Sequence, residues 1–187
     1  MARWEPDARG RMTRAALDLY TEQGFEQTTT AQIAERAGVT ERTYFRHFAD
    51  KREVLFDGSH ELEGTVVAAV VDAPPDAAPL DAVGEAFALA ASALEERREF
   101  AARRAAVVAA TPRLQERELL KLAALRDAAA AALRERGVTE PAASMVAEAG
   151  VSAFRVGFEA WIASHQERPL AHEVRDALAA LRAQAAV

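Results

Sequence analysis

Between Thr28 and Phe48 the chain carries two apolar-periodic segments, each about eight residues long, joined by Gly38-Val39-Thr40. Helices this short are marginal on their own, so packing must hold them. Thr28-Thr29-Thr30 supplies a hydroxyl to cap a helix over Ala31–Ala37, and Thr40 caps one from Glu41 to about Phe48. Ala34 is small enough for the two to cross closely, and Gly38 admits the backbone angles of a sharp turn. Ile33, Ala37, Val39, Tyr44 and Phe48 supply the inward contacts. This is the pattern of a helix-turn-helix.

The remainder reads as helix too. Alanine, the best helix former, makes up about a quarter of the chain. Breakers divide the whole into about nine helices. The first spans about Asp7 to Gln23, with Met12, Ala15, Ala16, Leu19 and Tyr20 on one stripe and Gly24 as its stop. Asp50 caps a fourth helix, from Lys51 to about Val71. A proline-rich loop over residues 72–79 leads to a fifth, Leu80 to about Arg97, and a sixth, Glu99–Ala110. The seventh starts at Thr111-Pro112 and reaches Arg136. The eighth follows Pro141 to about His165, and the ninth runs from Pro169 to near Ala185. The expected fold is all-α: a three-helix head over residues 1–50 and a helical body over 51–187.

Charge divides along the same line. The formal net charge is −6, all of it from residues 52–187, because basic and acidic residues balance over 1–51. An acidic protein is a poor ligand for a polyanion, so any nucleic-acid contact falls to the head. Wound at 100° per residue, the third helix places Tyr44 and Phe48 on one side and Arg42 and Arg46 on the other. Thr43 lies beside the arginines, and Phe45 and His47 flank them. Such a stripe suits a major groove, with Arg42 near the helix start reading base edges and Arg46 and His47 meeting the backbone. Thr30 and Lys51, at the starts of the second and fourth helices, are expected on phosphates. Glu41 either accepts from cytosine N4 or simply favours the helix N-terminus.

The eighth helix is polar only along Glu148, Ser152, Arg155 and Glu159, with a few polar residues at its ends, and apolar around most of its girth. It must bury two sides, one in its own core and one against a second copy. Small residues at Gly150, Ala153, Gly157 and Ala160, with Val174, Leu178 and Leu181 of the ninth helix, form the expected dimer interface. Phe154, Phe158 and Trp161 share a face that is either plain core or one wall of a ligand pocket. Arg103 and Arg104 read as surface charges or as a carboxylate clamp.

Chemistry is sparse. Cysteine is absent, and neither a glycine-rich phosphate loop nor a nucleophile elbow occurs. His47, His60, His165 and His172 are scattered, and Asp57-x-x-His60-Glu61 lacks further metal ligands. Glu95-Glu96 and Glu116-x-Glu118 read as exposed faces. No enzyme activity, cofactor or metal is expected. Without a membrane-length apolar run or an apolar signal core, the expected location is the cytoplasm, with no membrane partner.

Gly24-Phe25, Thr29-Thr30, Ile33-Ala34, Ala37-Gly38-Val39-Thr40, Thr43, Phe48 and Lys51 stand in the order and spacing of one family. Over about Arg11 to Leu55 the chain resembles the TetR/AcrR family of bacterial transcriptional regulators. The resemblance implies a homodimeric regulator, by family habit a repressor, on a palindromic double-stranded operator. A small apolar or aromatic inducer entering the body would shift the fourth helix and release the DNA. It implies base contacts from Glu41, Arg42 and Phe45 and phosphate contacts from Thr30, Thr43, Arg46, His47 and Lys51. The family plan also tips Phe154, Phe158 and Trp161 towards a pocket wall, with Phe87 and Phe100 opposite. Two positions depart from the family. Phe45 replaces a frequent tyrosine, leaving a ring for a thymine methyl, and Arg42 replaces a frequent small residue. The alternative is a helical interaction or scaffold protein that has lost DNA binding.

Overall fold

Local capping starts and stops each helix of the head. In the computed structural model, which describes residues 7–164 and 168–185, the Asp7 carboxylate accepts from Gly10 N at 2.9 Å and opens α1 (Ala8–Gln23). His165 and Gln166, expected at the end of the eighth helix, lie outside the described residues. Gly24, at φ 87°, closes α1. Thr29 then caps α2 (Thr30–Arg36) in a reciprocal box: its hydroxyl accepts from Gln32 N while Gln32 Oε1 accepts from Thr29 N. Gly38, at φ 68°, makes the turn, and the Thr40 hydroxyl accepts from Thr43 N at the start of α3 (Glu41–His47).

Among the described residues there are nine α-helices, two short 3₁₀ turns and no strand, so the all-α expectation holds. The other helices are α4 (Ser59–Val71), α5 (Pro79–Ser92), α6 (Arg98–Ala109), α7 (Pro112–Glu135), α8 (Ala142–Ala163) and α9 (Leu170–Ala185). No helix among the described residues is long and apolar enough to cross a membrane.

Two helix boundaries differ from those read in the sequence. The fourth helix starts at Ser59, not Lys51, after a 3₁₀ turn over Glu53–Phe56. Asp50 does cap this segment, accepting from Arg52 N and Glu53 N at 2.7 and 3.3 Å. However, Val54, Leu55 and Phe56 are all buried, and three consecutive residues of an α-helix point 200° apart. Arg104 Nε also donates to the Leu55 carbonyl at 2.7 Å, taking an acceptor that an α-helix would have used. The fifth helix ends at Ser92, and a 3₁₀ turn over Glu95–Arg97 precedes α6. Here Glu95 is half-buried, and its carboxylate accepts from Ala171 N, the second residue of α9, at 3.2 Å.

The chain packs as two units. The first comprises residues 1–57 and 102–118, the second 58–101 and 119–187. In the first, α1, α2 and α3 close over Met12, Leu17, Ile33, Ala34, Tyr44 and Val54, all buried. Residues 102–118 are pinned there by ion pairs of Arg103 with Asp18 at 2.7 Å and of Arg117 with Glu53, while Arg104 pairs with Glu118 inside the segment at 3.0 Å. Arg103 and Arg104 thus hold carboxylates of their own chain.

In the second unit, α5 packs against α4, α8 and α9, and α8 lies along α9. Gly157 makes the last contact possible, since a Cβ there would stand 2.8 Å from Val174 N. A Cβ at Gly150 would meet Val83 Cγ1 of α5 at 2.3 Å.

Candidate nucleic-acid interface

The third helix turns one side inward and one outward, as its winding dictates. Tyr44 and Phe48 are buried, their ring centres 5.5 Å apart, and the Tyr44 hydroxyl donates to the Asp50 carbonyl at 3.2 Å. Burial pushes the Tyr44 phenol far above its ordinary range, so it stays a neutral donor. On the opposite side Arg42 and Arg46 are exposed; Phe45, at the edge of that side, keeps 52% of its surface open, and Glu41, exposed in the first turn, winds next to Phe48. Phe45 is held edge-on to the Tyr44 ring at 5.6 Å. Thr43 and His47 are half-buried, and the Thr43 hydroxyl shares a 3.0 Å hydrogen bond with that of Thr40.

The described arginines of this unit divide into two groups. Arg9, Arg14, Arg36, Arg52, Arg103, Arg104, Arg113 and Arg117 each meet a carboxylate, and Arg11 donates to the Ala37 carbonyl. Arg42 and Arg46 meet neither among the described residues; Arg46 makes only a 3.5 Å contact with His47 Nε2. Among the described residues no carboxylate forms an ion pair with either guanidinium.

Two expected phosphate residues are engaged within the protein. Lys51 Nζ donates to the carbonyls of Phe25, Glu26 and Thr28 at 2.7, 3.3 and 3.1 Å, which uses all three of its N–H groups. The Thr30 hydroxyl donates to Glu41 Oε1 at 2.7 Å and joins the first turns of α2 and α3. Neither contact is legible in the sequence, because the partners lie 11 or more positions apart.

In the second unit four of the five expected pocket residues, Phe87, Phe154, Phe158 and Trp161, pack on one another. Ring centres run from Phe87 to Phe154 at 6.0 Å, to Phe158 at 6.4 Å and to Trp161 at 5.9 Å, with the Arg98 guanidinium over the indole at 5.4 Å. Phe100 is half-buried and has no ring partner in this run. A shallow cleft of about 350 Å³ lies elsewhere, lined by Ala69, Pro74, Ala86, Leu89 and Arg175 among others.

The expected dimer residues are mostly occupied within the chain itself. Gly150 and Gly157 face α5 and α9, Ala153 and Val174 are buried, and Leu178 fills the space over Gly84. Ala160 and Leu181 remain exposed. The outward side of α8 instead presents Met145, 68% exposed, and Val156, 47% exposed. Winding α8 at 100° per residue would have found them, because they lie away from the glycines.

Comparison with known proteins adds the family. A model described as "Bacterial regulatory proteins, tetR family" matches residues 13–57, and one described as "MftR C-terminal domain" matches residues 77–186, more than half the chain. The chain belongs to the TetR family. It is similar to the HTH-type transcriptional regulator TcmR of Streptomyces glaucescens, 42% identical over 79 residues, covering 42% of this chain. The match spans about a third of that relative's length (35%). The fold resembles FadR of Thermus thermophilus, a TetR-family repressor solved with lauroyl-CoA, at TM-score 0.50, 26% identity and 93% coverage of both chains. It also resembles the fatty acid degradation regulator FadR of Bacillus halodurans, at TM-score 0.56, 16% identity and 96% coverage of both. The helix-turn-helix that most constrained the sequence reading is thus the head of a TetR-family chain.

Proposed function

We propose that this TetR-family chain is a DNA-binding transcriptional regulator, acting in the cytoplasm as a homodimer that represses from a palindromic operator. The observation that carries the reading is the pair Arg42 and Arg46, exposed and without an ion pair among the described residues, on a helix braced by Tyr44 and Phe48. Arg42 and Phe45 face base edges, as a guanine-binding fork and an apolar surface for a thymine methyl. Arg46, Thr43 and His47 meet the backbone. Two heads related by a two-fold axis read half-sites about one helical turn apart.

The second copy docks on the outward side of α8 and the end of α9, where Met145, Val156, Ala160 and Leu181 are exposed. An apolar ligand enters the body by parting the Phe87, Phe154, Phe158 and Trp161 rings. It releases DNA by binding better to the state that cannot dock. The T. thermophilus relative makes lauroyl-CoA the first compound to try. Mobility-shift titration on DNA flanking the protein's own gene tests the reading. A shifted band lost on Arg42→Ala/Arg46→Ala supports it. Equal binding of all sequences by wild type and double variant overturns it.

A further inference from the structure

We propose that the cleft between α4, α5 and α9 binds a free apolar α-amino acid, at a site separate from the aromatic core and independent of the DNA-binding reading above. The cleft holds about 350 Å³, the small end of the range for a ligand pocket. Its apolar lining comes from Ala69 of α4, Ala73 and Pro74 just beyond that helix, and Ala82, Ala86 and Leu89 of α5. Wound at 100° per residue, α5 turns Ala82, Ala86 and Leu89 away from Phe87, so the cleft does not open on the run of rings. Leu89 is 57% exposed, an apolar surface for a small ligand to cover.

The charged residues of the lining are one cation and one anion. Arg175 of α9 donates from Nε and Nη2 to the two carboxylate oxygens of Glu85 of α5, at 2.9 and 2.7 Å. A guanidinium has five N–H groups and this fork uses two, while the carboxylate has further lone pairs to offer. Both side chains stay within reach of solvent, Arg175 at 44% and Glu85 at 65% exposure. The hydrogen bond from Arg175 holds the Glu85 carboxyl below its ordinary range, so the acid is ionised at neutral pH. Ser92 Oγ donates to the Ala88 carbonyl at 3.2 Å, and its oxygen can still accept.

This pair of charges selects the class of ligand. A lone carboxylate docking on Arg175 comes against Glu85, and a lone amine docking on Glu85 comes against Arg175. A ligand with both charges on one carbon satisfies both partners and adds no net charge to a neutral site. An α-amino acid is such a ligand: its carboxylate meets the remaining Arg175 N–H groups, its ammonium meets Glu85 and Ser92, and an apolar side chain lies on the alanines and Leu89. The ion pair stays made, so the ligand meets a fork already in place.

Calorimetric titration of the full chain with L-leucine tests the proposal. Saturable binding of one leucine per chain is expected. N-acetyl-leucine keeps only the carboxylate and leucinamide only the ammonium, and each should bind about tenfold more weakly for the charged hydrogen bond it loses. Glycine, with no side chain for the apolar wall, should also bind more weakly. Arg175→Gln and Glu85→Gln should each weaken leucine about tenfold. An exposed ion pair adds little to stability, so both variants should melt like wild type. Arg182→Gln breaks the other α5–α9 ion pair, with Asp81, and should bind leucine as wild type does. The ligand series on wild type decides the matter even if a variant fails to fold. No uptake of leucine overturns the proposal, as does equal binding of leucine, its two blocked forms and glycine. Tighter binding of either blocked form would assign the cleft to a peptide terminus and also overturn it, and so would an Arg175→Gln chain that binds leucine like wild type. DNA binding does not enter the readout, so a chain that takes up leucine and binds no operator leaves this inference standing while the regulator reading falls.

Discussion

The ammonium of Lys51 lies 4.3 Å from the centre of the Phe25 ring while donating to three carbonyls of the α1–α2 connection. A charge taken up by three acceptors and an aromatic face closes that loop from beneath. Replacing it by Met keeps the stem and strands the carbonyls, at a cost of about 1–3 kcal/mol. Lys51→Met is therefore expected to unfold at lower urea concentration than wild type. A variant of wild-type stability with weakened DNA binding would return Lys51 to the phosphates.

Arg42 and Arg46 are expected to separate by role. Arg42→Ala should cost about 1–3 kcal/mol on the preferred sequence and relax one base position. Arg46→Ala should weaken all sequences alike and flatten the dependence of affinity on log salt by about one. Titrations at several salt concentrations on matched and mismatched duplexes read both effects.

Gly157 and Gly64 make an opposed pair. An added Cβ at Gly157 meets the backbone of Val174 and Glu173 within 2.9 Å, and a helix backbone cannot step aside as a side chain can. Gly157→Ala is expected to destabilise by about 1–3 kcal/mol. At Gly64, inside α4, nothing lies within 4 Å, and Gly64→Ala should stabilise by about 0.5–1 kcal/mol. Thermal melting distinguishes the two directions.

Asp50 supplies a pH dependence. Its hydrogen bond from Arg52 holds the carboxyl below its ordinary value, helped by the backbone N–H groups of Arg52 and Glu53 and opposed by partial burial. A folded value below the unfolded one gives stability that is complete above the unfolded value and lost as pH falls through the folded one. The side chain is 38% exposed, which limits the effect to about 1 kcal/mol. Asp50→Asn should be less stable than wild type at pH 7, with the gap closing towards pH 2.

Met145 and Val156 are placed to test the proposed dimer. A charge on this side should be neutral for folding, both residues being largely exposed, yet disruptive to association. Met145→Glu/Val156→Glu is expected to appear as a folded monomer in native mass spectrometry. A dimer that survives both changes would move the interface elsewhere.

Local signals carried much of this protein. The caps at Thr29 and Thr40, the stops at Gly24 and Gly38 and the opposed sides of α3 follow from neighbours a few residues away, and all are present. The stripe of small residues on α8 showed that something approaches closely but not what, because an absent Cβ is filled by any surface. The structure fills it with α5 and α9 of the same chain. The fourth helix was overextended because Arg104, the residue that takes the Leu55 carbonyl, lies 49 positions away.

Sequence by itself determined that this chain is helical, where most of its helices turn, and that two arginines of α3 point away from an aromatic pair; periodicity and capping act over one or two turns. Only tertiary structure decided that Lys51 faces three carbonyls, that Thr30 holds Glu41, and that Glu95 caps α9. A polar side chain bonds whichever acceptor or donor the folded backbone delivers, and distant parts of the chain make that delivery.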